Sequence, residues 1–188
     1  MKNSIKVFAP ATVANVVCGF DVLGFAVNRP GDEVEMQIIK TPGIRIKKIT
    51  GDQGLLPLDA KKNTVSASVQ HYLKSIDRLD IGVEITLHKK MPIGSGLGSS
   101  SASTVAGLFA INKIMGDLLP PKELVPFAMK GEELACGYGH ADNVAPALLG
   151  GFVLIRSYNP LDVISLPTPK NLHAAIVYPE VDVPTKDA

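Results

Sequence analysis

The sequence predicts an α+β domain, and three observations carry the prediction. Strand-like alternation dominates the first fifty residues and reads as hairpins. Helical segments come afterwards, without the regular strand–helix alternation of a parallel βαβ sheet. Between the two lies a glycine- and serine-rich loop, Pro92 to Ser103, that leaves a strand and enters a helix.

The elements follow in order. Ser4 to Ala9 alternates and is expected to be a strand. Val34 to Ile39 and Ile44 to Ile49 alternate as well, and Thr41-Pro-Gly43 between them is turn chemistry, so the two are expected to form a hairpin. Gly51 to Pro57 reads as a loop. Asn63 or Thr64 caps a helix through Leu73, with Val65, Val69 and Leu73 on one face. Gly82 to His88 is the next strand. The helix after the glycine loop carries small apolar residues on every side (Ala102, Val105, Ala106, Leu108, Phe109, Ile111) and ends at Gly116, so it is expected to be buried. Pro120-Pro121 opens another helix, expected to be irregular near Pro126, that carries Glu132 and Glu133. A short helix over Asp142 to Leu149, a strand from Gly151 to Arg156 and a last strand from Leu172 to Tyr178 complete the prediction.

Composition narrows the class. The 188 residues fit one domain, or one with a small appendage. A net charge of +1 without a basic run argues against nucleic acid as a partner. No apolar stretch approaches the ~20 residues of a membrane span, so no membrane association is expected, and Met1 to Lys6 has no signal-peptide core behind it. Cys18 and Cys136 lie far apart, outside any C-x-x-C pair. They read as buried thiols in a reducing compartment, and the expected location is the cytoplasm.

The loop holds the chemistry. Gly94, Gly96 and Gly98 allow positive φ and close backbone approach, and the first turn of the following helix offers free N–H groups and a positive dipole end. Ser99, Ser100, Ser101 and Ser103 add hydroxyls. No Lys-Ser/Thr follows Gly98, so this is not a Walker A loop, and Ser99 stands where a dinucleotide fingerprint has its third glycine. As a bare pattern, such a loop is as often a structural turn as a ligand site.

Pro92-Ile-Gly-Ser-Gly-Leu-Gly-Ser-Ser-Ser-Ala102 resembles the phosphate loop of the GHMP kinases. Ala9 to Gly24 resembles the opening motif of the homoserine kinases within that superfamily, and His140-Ala-Asp-Asn-Val-Ala-Pro-Ala-Leu-Leu-Gly-Gly151 their third motif, the more specific of the matches. The resemblance implies a ribosomal protein S5 domain 2-like fold with a left-handed βαβ crossover. It implies an ATP-binding domain over residues 1–165 and, over 166–188, the start of a truncated C-terminal GHMP domain. The homoserine kinases are longer, so the chain is expected to be an N-terminal portion of such an enzyme and inactive by itself.

Site residues carry over by position. The resemblance places ATP against Pro92, Ile93, Gly94, Ser95, Gly96, Leu97, Gly98, Ser99, Ser100, Ser101 and Ala102, with Asn63 near the adenosine, and Mg2+ on Ser100 and Glu132. An adjacent pair such as Glu132-Glu133 is usually a solvated helix face. Neighbours on a helix point about 100° apart, so only one can face a cleft. Family spacing selects Glu132. Asn63 serves equally well as a helix N-cap. For the acceptor, the resemblance implies Asn15, Asp21, His140, Asp142, Asn143 and Thr185, with Asp21 suited to the ammonium and His140 to the carboxylate of L-homoserine. Asn15, Asn143 and Glu132 are the expected catalytic set. Asn15 and Asp21 also read as Asx-turn caps. Sister kinases place an aspartate at the position of Asn143, and an amide is no base at neutral pH.

The implied activity is ATP-dependent phosphorylation of L-homoserine on the route to threonine. The alternatives are a kinase for another small alcohol and a relative that binds nucleotide or metabolite without turnover. A homodimer is the assembly to consider.

Overall fold

The structure, a computed structural model, describes residues 3–178. In chain order it contains β1 (Ser4–Val13), β2 (Leu23–Ile39), β3 (Gly43–Thr50), a 3-10 turn (Ala60–Lys62), α1 (Thr64–Ser75), β4 (Gly82–His88), α2 (Ser99–Ile114), α3 (Pro121–Cys136), α4 (Val144–Leu149), β5 (Phe152–Tyr158) and β6 (Leu161–Leu166). The α+β expectation holds. One mixed sheet runs β3-β4-β2-β5-β6, with β1 also paired to β2.

The expected hairpin of β2 and β3 does not form. β4 lies between them, antiparallel to β2 (Val34 opposite Leu87) and parallel to β3 (Ile46 opposite Ile85). Turn residues close a hairpin only when both strands prefer each other to a third. Here β4 is buried over nearly its whole length and takes the place between β2 and β3, its apolar positions Val83, Ile85 and Leu87 packed in the core. The 40–42 segment crosses the end of β4 so closely that a Cβ on Gly82 would sit 1.9 Å from the Thr41 carbonyl.

α2 lies against β1 and β2 and is flanked by α1 and α3. Its small side chains allow this. A Cβ on Gly107 would strike Val65 of α1, and one on Gly131 of α3 would come within 2.8 Å of the Thr64 carbonyl. Val65, Val69 and Leu73 form the buried stripe of α1, each worth roughly 1.5–3 kcal/mol on burial. Tyr72 joins them, donating its hydroxyl to Asn112 of α2 at 2.8 Å; burial pushes this phenol up to about 12. α3 runs unbroken through Pro126. The missing N–H falls near the helix start, opposite exposed Lys122, whose carbonyl water can reach.

Two other expectations fail, and one strand was not expected. Leu172 to Tyr178 forms no strand; its residues are exposed and pair with no strand among the described residues, and an apolar run without a ladder partner has nothing to hold it extended. β6, which the alternation search missed, forms the sheet edge instead. Cys18 is exposed, not buried; it sits in a loop where Asn15, Val17 and Asp21 adopt left-handed φ. The side chain of Cys136 lies outside the described residues, as does Thr185. Among the described residues, no helix is long and apolar enough to cross a membrane.

Candidate active site

One cleft of about 940 Å³ is lined by the glycine loop, the start of α2, the start of α1 and the two loops around Asn15 and His140. Gly94, Gly96 and Gly98 all have positive φ, and Gly98, the N-cap of α2, contributes no side chain. The first helical bond runs from Ala102 N to the Gly98 carbonyl, so the first-turn N–H groups face the cleft uncapped. This is an anion cradle with the positive end of a sixteen-residue helix behind it.

Glu132 and Glu133 separate cleanly. Glu132 is only 7% exposed and accepts from Ser100 at 3.0 Å, Ser101 at 3.1 Å and Thr104 at 3.2 Å. Burial raises its carboxyl above the ordinary range, and those hydroxyls oppose the rise. Glu133 is exposed and pairs with Lys130. Among the described residues no three acidic, His or Cys side chains gather into a metal cage. One carboxylate beside one hydroxyl nevertheless fits magnesium, which takes few protein ligands and completes its shell with phosphate and water.

Beneath the cradle lies a cluster that the motif reading missed. Asp32, fully buried on β2, pairs with Lys89, whose ammonium also donates to the Ser99 carbonyl at 2.8 Å and to Ser103 Oγ at 2.7 Å. Ser99 Oγ donates to Asp32 at 3.0 Å, and Lys90 N reaches the other carboxylate oxygen at 2.8 Å. Desolvation draws the Lys89 ammonium down against the pull of Asp32. Ser99 and Ser103 line the cleft, and their hydroxyls also anchor α2 to the sheet through Asp32. Lys89 and Asp32 are 57 residues apart, and only the β2–β4 pairing brings them near each other, so no local signal pointed to them.

Elsewhere in the cleft lining, Asp21 and His140 approach to 3.6 Å. Asn15 Oδ1 accepts from Asp21 N at 2.7 Å, a brace across six residues of the loop and not an Asx turn, and Asn15 also lines the cleft. Asp142 is buried, and burial pushes its carboxyl up, opposed by His140. Tyr158, another residue the motifs missed, donates to the Asp21 carbonyl at 2.6 Å and accepts from Ala141 N at 3.3 Å, tying the loops around Asp21 and His140 together. Asn143 stands between the walls: a Cβ on Gly98 would lie 2.8 Å from its Oδ1.

The remaining expected residues divide. Ile93, Ser95 and Ser101 line the cleft with the glycines. Pro92 lies outside its lining, Ala102 is in the core, and Leu97 packs against the core. Asn63 lines the cleft, but its amide accepts from Val65 N at 3.1 Å and donates to the Pro57 carbonyl at 3.2 Å, so it caps α1.

Comparison with known proteins agrees with this geometry. The profile of the GHMP kinases N terminal domain matches residues 63–151. Homoserine kinase of Chlorobium phaeobacteroides (strain BS1) is 50% identical over 97% of this chain and 60% of its own length. Homoserine kinase of Arabidopsis thaliana is 42% identical over 97% of this chain and 50% of its own length. The chain thus spans about 60% of the length of curated bacterial relatives that it matches. The crystal structure of homoserine kinase from Cytophaga hutchinsonii superposes with a TM-score of 0.95 at 64% identity, covering 100% of this chain and 59% of that one. The mevalonate kinase of Methanococcus jannaschii, at 17% identity and a TM-score of 0.67, shares the fold. Glycine loop, buried Glu132 and matching relatives converge: the chain belongs to the GHMP kinase family.

Proposed function

We propose that the full-length protein transfers the γ-phosphoryl group of ATP to the side-chain hydroxyl of L-homoserine, yielding O-phospho-L-homoserine and ADP. One observation carries the reading: an uncapped helix N-terminus suited to phosphates and an acid–imidazole pair suited to a zwitterion share one cleft, with Asn143 between them. The relatives named homoserine kinase support the same substrate. Residues 1–165 are assigned as the ATP-binding domain, and 166–188 as the entry to a second domain.

Phosphoryl transfer needs alignment and charge neutralisation more than covalent help. The backbone of Gly94 to Ser101 holds the phosphates. Glu132 and Ser100 are the residues that would hold magnesium, which supplies neutralisation of phosphate charge. Asp21 takes the ammonium and His140 the carboxylate of the acceptor, and Asn15 helps orient its hydroxyl. The acceptor oxygen forms the new bond to the γ-phosphorus while the bridging bond to ADP breaks. The hydroxyl proton leaves to a phosphate oxygen or water, because Asn143 cannot accept it.

The test is ADP release by the full-length protein with Mg2+–ATP and a panel of alcohols. Turnover with L-homoserine well above mevalonate or galactose is expected. Faster turnover with another alcohol reassigns the substrate, and tight ATP binding without turnover on any acceptor points to a sensor.

A further inference from the structure

We propose that Thr12 is a positioning residue that fixes which end of the Asn143 amide faces the reaction, turning the oxygen inward and the NH2 group toward the transferring phosphate and acceptor oxygen. The inference rests on the proposed kinase reading for its catalytic meaning. Its geometric part stands alone.

Thr12 is fully buried, and its Oγ1 lies 2.7 Å from Asn143 Oδ1, its one side-chain hydrogen bond among the described residues. Both atoms carry lone pairs, and the amide could be turned either way. The hydroxyl proton decides it. A buried O–H needs an acceptor, and the Asn143 oxygen is the acceptor within reach. Were the amide reversed, the Thr12 proton would be stranded and a carbonyl oxygen would face phosphate oxygens, an acceptor against acceptors. With the oxygen held by Thr12, both amide N–H groups point where negative charge gathers.

Two further features show that this contact replaces an ordinary one. Asn143 occupies the N-cap position of α4, where asparagine normally accepts from the first turn, yet it makes no capping bond. Its oxygen has been diverted to Thr12. And Thr12 follows an irregularity in the β1–β2 pairing between Pro10 and Thr12, of the kind that re-aims a side chain. Thr12 also fastens the phosphate loop, its N–H donating to the Leu97 carbonyl at 3.1 Å. A Cβ on Gly98 would lie 2.2 Å from Thr12 Oγ1, so loop, threonine and asparagine form one close-packed unit. The backbone of Thr12 sets the donor nitrogens of the loop while its hydroxyl sets the donor nitrogen of Asn143. Both then address the same phosphate.

The test compares Thr12→Val, which keeps shape and loses the hydroxyl, with Thr12→Ser, which keeps the hydroxyl, in the full-length protein. With Mg2+–ATP and L-homoserine, Thr12→Val is expected to lower kcat about ten- to a hundredfold while KM for ATP and for L-homoserine moves less than about threefold. Thr12→Ser should recover most of the rate. In 15N-labelled protein, the side-chain NH2 signals of Asn143, assigned with Asn143→Asp, should move in Thr12→Val and stay in Thr12→Ser. Turnover of Thr12→Val within twofold of the native protein overturns the proposal, as does a loss that Thr12→Ser does not restore. If the native protein does not phosphorylate L-homoserine, the kinase reading fails by itself. The Asn143 signals then decide the geometry, and unchanged signals in Thr12→Val reject it.

Discussion

The two walls of the cleft are built by opposite means. The proposed phosphate wall is a helix N-terminus fastened from behind by a buried ion pair, with Asp32, Lys89, Ser99 and Ser103 exchanging hydrogen bonds at the floor of the cleft. The proposed acceptor wall is two loops whose candidate binding groups, Asp21 and His140, are about two-fifths exposed and meet at 3.6 Å. Tyr158 holds those loops from the end of β5 through main-chain contacts. A rigid cradle suits a triphosphate, whose donors must converge with little freedom. A more open pair suits a small zwitterion that must enter and leave each cycle.

Removing one partner of the buried pair tests the rigid wall most severely. Asp32→Ala leaves Lys89 buried without its counter-charge and is expected to cost about 3–5 kcal/mol of stability, read as a loss in the midpoint of denaturant unfolding. A loss below about 1 kcal/mol would mean that the cluster is wet and the wall is not rigid.

Glu132→Gln in the full-length protein is expected to reduce turnover with L-homoserine by about 10²–10³-fold, with Glu133→Gln within about twofold because that carboxylate is an exposed partner of Lys130. ADP release measures both, and equal losses would contradict the assignment.

The acceptor wall should respond in KM. Tyr158→Phe removes the hydroxyl that links the Asp21 carbonyl to Ala141 N, worth about 0.5–1.5 kcal/mol. KM for L-homoserine should rise severalfold while KM for ATP holds. An equal shift in both would show that the walls are coupled.

The smallest effect is a proton. Burial raises the Glu132 carboxyl above its usual value of 4.5. Above the ordinary carboxylate range and below that raised value, the folded protein holds a proton that an unfolded chain does not, so stability without ligand falls as pH climbs through the window. Magnesium needs the carboxylate, so affinity for Mg2+–nucleotide has the opposite sign and rises with pH across the same window. Asp142 is shifted the same way, and Glu132→Gln separates the two. Calorimetry in buffers of different ionisation enthalpy should show proton release on binding by the native protein and less by the variant. Equal release in both would assign the proton elsewhere.

Much of this molecule could be read along the chain because its signals are local. A glycine run between strand and helix becomes an N–H cradle through backbone geometry within a few residues; helical spacing let only one of Glu132 and Glu133 face a cleft, and the family resemblance picked Glu132, the one the fold buries. Asn63 as cap and the buried small-residue helix α2 follow from the same short-range rules. What depended on the sheet was beyond that reach. The β2–β3 hairpin failed because strand pairing is a competition that β4 won, and the apolar run 172–178 formed no strand because alternation says nothing about whether a partner exists. Asp32 with Lys89, Thr12 with Asn143, and Tyr158 with Asp21 are separated by 57, 131 and 137 residues. Hydrogen bonds and desolvation act over a few ångströms of space. The residue types that build such pairs carry no mark of each other until the strands have been ordered.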